Sequence, residues 1–309
     1  MLLVPLLLLA ACGDTSDDAP SEGVAIPGGA TWVDDPFSGG YPTYDDEATG
    51  LRIVFGTPDL GTGTSRVSFA LFDDVGLISE PTLTVTTRFY PDGAEGDFES
   101  GEEAQVQFRP FPEGSRGIYT GALTFDTPGL WALDVAVPAG AESTSVVFPV
   151  EVAEEAQAPA VGDPAPASDS RTVADEPDLA ELSTATTPDP RLHQASITDA
   201  LTAGTPFVVT FASPAYCTNA LCGPQVEVLS ELADQHGDAA SFIHVDLYEN
   251  PTEIRGDFSL ARRTPVLDEW GIHTDEWTFV VDADGRVGAR FEGFAPREEV
   301  EAALLAVLP

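Results

Sequence analysis

Lysine is absent from this 309-residue chain, and positive charge of any kind is scarce: 13 basic residues, all arginine, stand against 52 acidic ones, for a formal net charge of −39. A surface of that sign repels nucleic acid and anionic lipid headgroups, which excludes nucleic-acid recognition. The acid excess fits solubility, or a salty setting in which carboxylates stay hydrated and their repulsion is screened. Histidine is rare too, and the four residues His193, His236, His244 and His273 show no paired metal-ligand spacing. No Gly-x-Ser-x-Gly elbow occurs, which argues against a nucleophilic hydrolase. Cysteine is limited to Cys12, Cys217 and Cys222. After the first eleven residues no apolar run is long enough to cross a bilayer as a helix.

What is present begins with Met1 to Ala11, an uncharged apolar run too short to span a bilayer but of the length of a signal-peptide core. The basic residue that usually precedes such a core is missing. Leu9-Ala10-Ala11-Cys12 resembles the lipobox of bacterial lipoproteins. That resemblance implies cleavage before Cys12, lipid on its sulfur, and a chain held at the extracytoplasmic face of the cell membrane. Each buried methylene contributes about 0.8 kcal/mol, so two or three acyl chains anchor a protein without a transmembrane helix.

Two stretches poor in bulky apolar residues divide the remainder. Residues 12–30 read as an acidic tether, and residues 153–192, rich in Pro, Ala and acid, read as a disordered, semi-extended linker. Between them, residues 31–152 carry about seven period-two segments (51–56, 66–72, 82–90, 104–111, 117–126, 129–137 and 144–152) separated by Gly, Pro and Asp turns. Such a pattern predicts an antiparallel sandwich. Residues 117–131 resemble the paired late strands of immunoglobulin-like modules, without that fold's cysteines. Trp131 reads as a core filler, and the unit as a binding or spacing module.

Residues 193–309 alternate helices and strands. A capped helix over 196–203, an apolar strand over 207–212, a helix through 226–233, a strand over 242–246, a helical stretch ending near Trp270, strands over 277–281 and 287–291, and a helix over 296–307 are expected. Cys217 and Cys222 fall at the junction of the first strand with the second helix. A helix N-terminus there favours thiolate over thiol. Five helical steps of about 100° would put the two cysteines roughly 140° apart, so a bridge requires Cys217 to lie in the preceding loop.

With this order of elements, the strand leading to Tyr216-Cys217, the loop at Asp246 and Glu249-Asn250-Pro251, and the segment Trp270-Gly271-Ile272 resemble the thioredoxin family, here as a thioredoxin-like lipoprotein. The resemblance implies a multidomain chain, an all-β immunoglobulin-like sandwich followed by an α/β thioredoxin-like domain. It makes Cys217 and Cys222 the candidate catalytic pair and places His273, Asp275, Glu276 and Trp277 in the loop facing them.

The chain departs from that family at three points. Four residues rather than two separate the cysteines, Glu276 occupies the place of the family's cis-proline, and Thr210 stands where many members bury a proton-carrying acid. A cis bond at a non-proline residue costs about 3 kcal/mol, so a trans loop is expected. Proton transfer then falls to His273, Asp275 or Glu276.

Three readings of the pair stay open. One is thiol–disulfide exchange with an exported protein or peptide. Another is a non-catalytic adaptor whose bridge is structural, contributing about 2 kcal/mol. The last is copper handling with His273 as third ligand; no other cofactor is implied.

Replacing Cys12 by Ala is expected to abolish metabolic incorporation of labelled fatty acid into the protein and to release it from membranes. Unchanged labelling of Cys12→Ala excludes this anchor.

Overall fold

The computed structural model describes residues 24–35, 40–111, 116–139, 142–217 and 222–309. The signal run, Cys12 and the first half of the expected tether lie outside the described residues. Among the described residues no helix is long and apolar enough to cross a membrane.

Period-two alternation builds the first unit. Its strands are β1 (Thr31–Val33), β2 (Thr43–Asp46), β3 (Leu51–Phe55), β4 (Leu60–Gly61), β5 (Gly63–Phe72), β6 (Thr82–Phe89), β7 (Glu99–Pro110), β8 (Gly117–Phe125), β9 (Gly129–Ala139) and β10 (Glu142–Ala153). Val67, Phe69 and Leu71 of β5, with Leu83 and Val85 of β6, point to one buried face, as the pleat requires. The strands join in one connected sheet of order β1-β2-β3-β5-β8-β7-β6-β9-β10-β4. Pairing is antiparallel except for the short β4–β10 contact.

The sheet folds over so that its far ends meet. Phe148 of β10 lies 5.5 Å from the rings of both Tyr44 and Phe55, and the Ala30 N–H donates to the Val147 carbonyl at 2.7 Å. The last residues of the expected tether are therefore packed, with Ile26 buried beside Tyr90, Ala132 and Val147. Trp131 fills the core against Phe125 and Phe89, and its indole N–H donates to Thr127.

The second unit begins with α1 (Ile197–Ala203), opened by a reciprocal Ser196/Asp199 capping box and closed by Gly204 at φ 62°. Then follow β11 (Phe207–Phe211), α2 (Cys222–His236), β12 (Ser241–Val245), α3 (Val266–Glu269), β13 (Trp277–Val281), β14 (Val287–Glu292) and α4 (Arg297–Val307). The sheet order is β12-β11-β13-β14, with β11 parallel to β12 and antiparallel to β13. All five residues of β11 and of β13 are buried, as central strands covered on both faces must be. Order, strand directions and helix placement are those of a thioredoxin-like fold.

Residues 153–192, expected as a disordered linker, are ordered and packed. The Gly162 N–H donates to Val287, the Val287 N–H to Asp163, and the Ala165 N–H to Gly285, so this segment covers the outer edge of the β13–β14 hairpin. Trp270 donates its indole N–H to Ser168 at 3.1 Å, and Leu182 and Leu192 are buried. Composition misleads here because a few apolar residues, Ala158, Ala165, Leu182 and Leu192, reach the core while backbone hydrogen bonds and Ser, Thr and Asp side chains hold the rest.

The two units also share a core. Phe111 and Ile118 of the first pack with Val208, Leu229 and Phe294 of the second, Phe111 edge-on to Phe294 at 4.6 Å. Arg66 on β5 donates to Glu299 at 2.8 Å and to the Phe294 carbonyl at 2.9 Å, and Thr120 donates to Glu299 at 2.7 Å. Arg290 on β14 pairs with Asp59 at 2.7 Å. Beside it Glu292 is buried, accepting from the Asp59 N–H at 2.9 Å and from Thr274 at 2.6 Å.

Burial pushes the Glu292 carboxyl up to about 8 from an ordinary 4.5, against the lowering effect of its two hydrogen bonds. The fold thus accommodates the neutral acid, a contribution fully present below pH 4.5 and lost as pH rises through 8. The melting temperature is expected to fall across that interval and to fall less in Glu292→Gln, followed by circular dichroism at constant ionic strength. Identical slopes in the two proteins exclude Glu292 as the source.

Candidate functional site

Strand β11 ends at Phe211 and delivers the chain to one end of the second sheet, where a tight turn that includes Pro214 follows. The N–H groups of Tyr216 and Cys217 both donate to the Ser213 carbonyl, at 3.1 and 3.0 Å. Cys217 ends this turn half-buried, and Cys222 opens α2 fully buried. Pro224 is tolerated within the first helical turn because the N–H it lacks there has no intrahelical partner. The sulfurs are joined in a disulfide with a Cα–Cα separation of 5.9 Å. One cysteine lies in the loop and one on the helix, the arrangement the angular argument requires.

The facing loop precedes β13. Its peptide bonds are trans, as are all those described. Glu276 adopts φ 51°, a left-handed conformation that a non-glycine residue takes only when its surroundings enforce it, at a cost of about 1–3 kcal/mol. Its carbonyl accepts from the Gly293 N–H at 3.0 Å. Its carboxylate is buried, and one of its oxygens and the two cysteine sulfurs all lie within 4.8 Å of one another.

The other expected loop residues divide. Trp277 is buried, donates to Thr274 at 2.9 Å and stacks on Phe279. The Asp275 carbonyl accepts a hydrogen bond from the Tyr41 hydroxyl, which the first unit supplies. Burial raises the Tyr41 hydroxyl well above its usual range, reinforced by Glu276, Glu292 and Asp275. His273 is exposed and lies outside the group formed by Cys217, Cys222 and Glu276, so the structure does not bring it to the sulfurs as the copper reading expected.

Thr210 is buried and pairs across the sheet with Thr278, hydroxyl to hydroxyl at 3.0 Å, which leaves no acid at that position. A polar group that the sequence did not single out supports the turn bearing Cys217. Thr184, from the segment read as linker, meets the Ser213 hydroxyl at 2.9 Å and donates to Asp246 at 2.7 Å. Burial raises the Asp246 carboxyl and lowers the His244 imidazole, whose Nε2 lies 2.9 Å from the Ala212 carbonyl. Burial also lowers His193 to about 3, so it is neutral at physiological pH. Tyr216, next to Cys217, stacks on half-exposed Phe258 at 5.4 Å, with Tyr248 edge-on to the same ring. An apolar surface therefore borders the more accessible sulfur.

No family model and no curated protein matches the chain. Among solved structures, it is similar to a surface-exposed lipoprotein thioredoxin of Streptococcus pneumoniae, at 14% identity over 34% of this chain and 89% of that one, TM-score 0.28. It is also similar to a thioredoxin-family thiol:disulfide interchange protein of Chlorobium tepidum, at 16% identity over 48% of this chain and 99% of that one, TM-score 0.33. At these scores the fold reading rests on the strand order and the disulfide of this chain itself.

The unequal burial of the sulfurs predicts their reactivity. After reduction, Cys217 is expected to be alkylated well before Cys222, read by peptide mass spectrometry after a short pulse of iodoacetamide. Modification of both at equal rates contradicts this site geometry.

Proposed function

We propose that this protein is a lipid-anchored thiol–disulfide exchange protein acting on exported polypeptides through Cys217 and Cys222. The observation that carries the reading is the disulfide at the strand-to-helix junction of a thioredoxin-like sheet, one sulfur half-buried and the other at the buried start of a fifteen-residue helix. The positive end of that helix favours thiolate.

Exchange then runs in two steps. The Cys217 thiolate attacks one sulfur of a partner's disulfide, forming a mixed disulfide and releasing the partner's first thiolate. The Cys222 thiolate next attacks the Cys217 sulfur, closing the internal bridge and releasing the second, so two electrons pass from this protein to the partner. Run backwards, the same steps oxidise a partner dithiol. Glu276 is the carboxylate placed to exchange protons with the buried thiol, the task the sequence left among His273, Asp275 and Glu276. The Tyr216–Phe258–Tyr248 surface receives apolar side chains of the partner. Lipidation at Cys12 sets the extracytoplasmic location, and an immunoglobulin-like reading of the first unit makes it the support that holds the exchange domain.

A purely structural bridge is the competing reading, and it differs in redox poise. The exchange reading expects insulin reduction by the reduced full chain, loss of that activity in Cys217→Ser, and a trapped mixed disulfide in Cys222→Ala. A reduction potential below about −300 mV with no turnover assigns the pair to structure instead.

A further inference from the structure

Glu276 does more than proton transfer requires: a strained backbone aims a buried carboxylate at both sulfurs at once. We propose that the reduced form of this site binds a zinc(II) ion through Cys217, Cys222 and Glu276, and that closing the disulfide expels it. The inference rests on the pair being reducible in the native protein, as the exchange reading requires.

The distances fit. Opening the bridge lets the sulfurs separate to van der Waals contact, and two thiolates on a tetrahedral zinc at 2.3 Å lie about 3.8 Å apart. A carboxylate oxygen at about 2.1 Å from the same ion lies about 3.6 Å from each sulfur. Both edges fall within the 4.8 Å that encloses the three ligand atoms, so rotation about the cysteine side-chain bonds is enough to assemble the site. The ligands come from three places, the turn after β11, the first residue of α2 and the loop before β13, and both of the latter are held by buried backbone. A water would supply the fourth ligand of the tetrahedron.

Charge points the same way. Reduction without metal leaves two thiols beside a buried carboxylate, and ionising either thiol adds like charge in a poorly solvated place. A divalent cation removes that penalty and lets both thiols lose their protons. Copper(I) is satisfied by two soft thiolates, whereas the harder carboxylate suits zinc. Oxidation reverses binding in a balanced step: the zinc dithiolate and a partner disulfide give the internal disulfide, two partner thiolates and free zinc(II). In the oxidised protein neither sulfur carries the charge that held the ion.

The test uses the full chain, reduced with a phosphine, desalted without oxygen and titrated with cobalt(II) as a spectroscopic stand-in for zinc. Thiol titration is read first. In the lipidated chain, whose Cys12 sulfur is blocked, the proposal expects two free thiols, one cobalt per chain, thiolate-to-cobalt charge-transfer absorption with tetrahedral d–d bands, and displacement of the cobalt by zinc. Oxidised protein is expected to show none of these bands, which controls for surface carboxylates. Glu276→Gln is expected to weaken zinc binding by more than about tenfold, since even an outer-shell partner is worth 10–100-fold, and to leave copper(I) affinity unchanged. Its fold is checked by circular dichroism in the oxidised state. If no thiols appear, both this proposal and the exchange reading fail. Two thiols without the cobalt spectrum, or equal zinc affinity in wild type and folded Glu276→Gln, overturn the zinc site alone.

Discussion

The buried carboxyl of Glu292 joins three parts of the chain at one point. It sits on β14, accepts from the Asp59 backbone in the first unit, and accepts from Thr274 in the loop that faces the cysteines. Thr274 in turn receives the Trp277 indole N–H at the start of β13. Desolvation of that carboxyl costs stability unless its partners stay in place. The first unit and the site loop are therefore fixed to the same atoms, and Tyr41 adds a second tie through Asp275.

That constraint makes the site a product of both units. A loop hanging from β13 alone would relax the left-handed backbone of Glu276. Here the Gly293 N–H, the Tyr41 hydroxyl and the Glu292–Thr274 bond hold its neighbours, and the Glu276 side chain is left against the disulfide. The arginine contacts at Arg66 and Arg290 reinforce the docking with partly buried pairs in which each guanidinium also binds a carbonyl. Such pairs contribute more than exposed ones because solvent screens them less.

The cysteines differ in burial. Cys217 lies half-buried on a turn bordered by Tyr216 and Phe258, whereas Cys222 is enclosed at the N-terminal end of α2. A buried polar group from Thr184, Ser213 and Asp246 keeps that turn in position.

Much of the local structure was legible in the residues. Alternation at Val67, Phe69 and Leu71, the capping pair Ser196 and Asp199, and the apolar run of β11 each report a conformation set by nearest neighbours, so their elements could be read directly. The cysteine pair and its loop-and-helix placement were legible for the same reason, from helical angle and spacing. Three things were not. The segment 153–192 is poor in bulky side chains, yet the hairpin edge it covers at 162–165 and the burial of Leu182 and Leu192 order it. Tyr41, Asp59 and Thr184 reach the site from 29 to 234 residues away through contacts that carry no local signal. Of the candidates His273, Asp275 and Glu276, composition could not rank which one meets the sulfurs, because that depends on the left-handed backbone of Glu276 and on the contacts around it. The sequence by itself determined most of the strands and helices, though not β1, β2 or β4, and where the two paired cysteines stand. Only the tertiary structure decided which carboxylate faces them, because burial and long-range hydrogen bonds select among groups that are chemically equivalent along the chain.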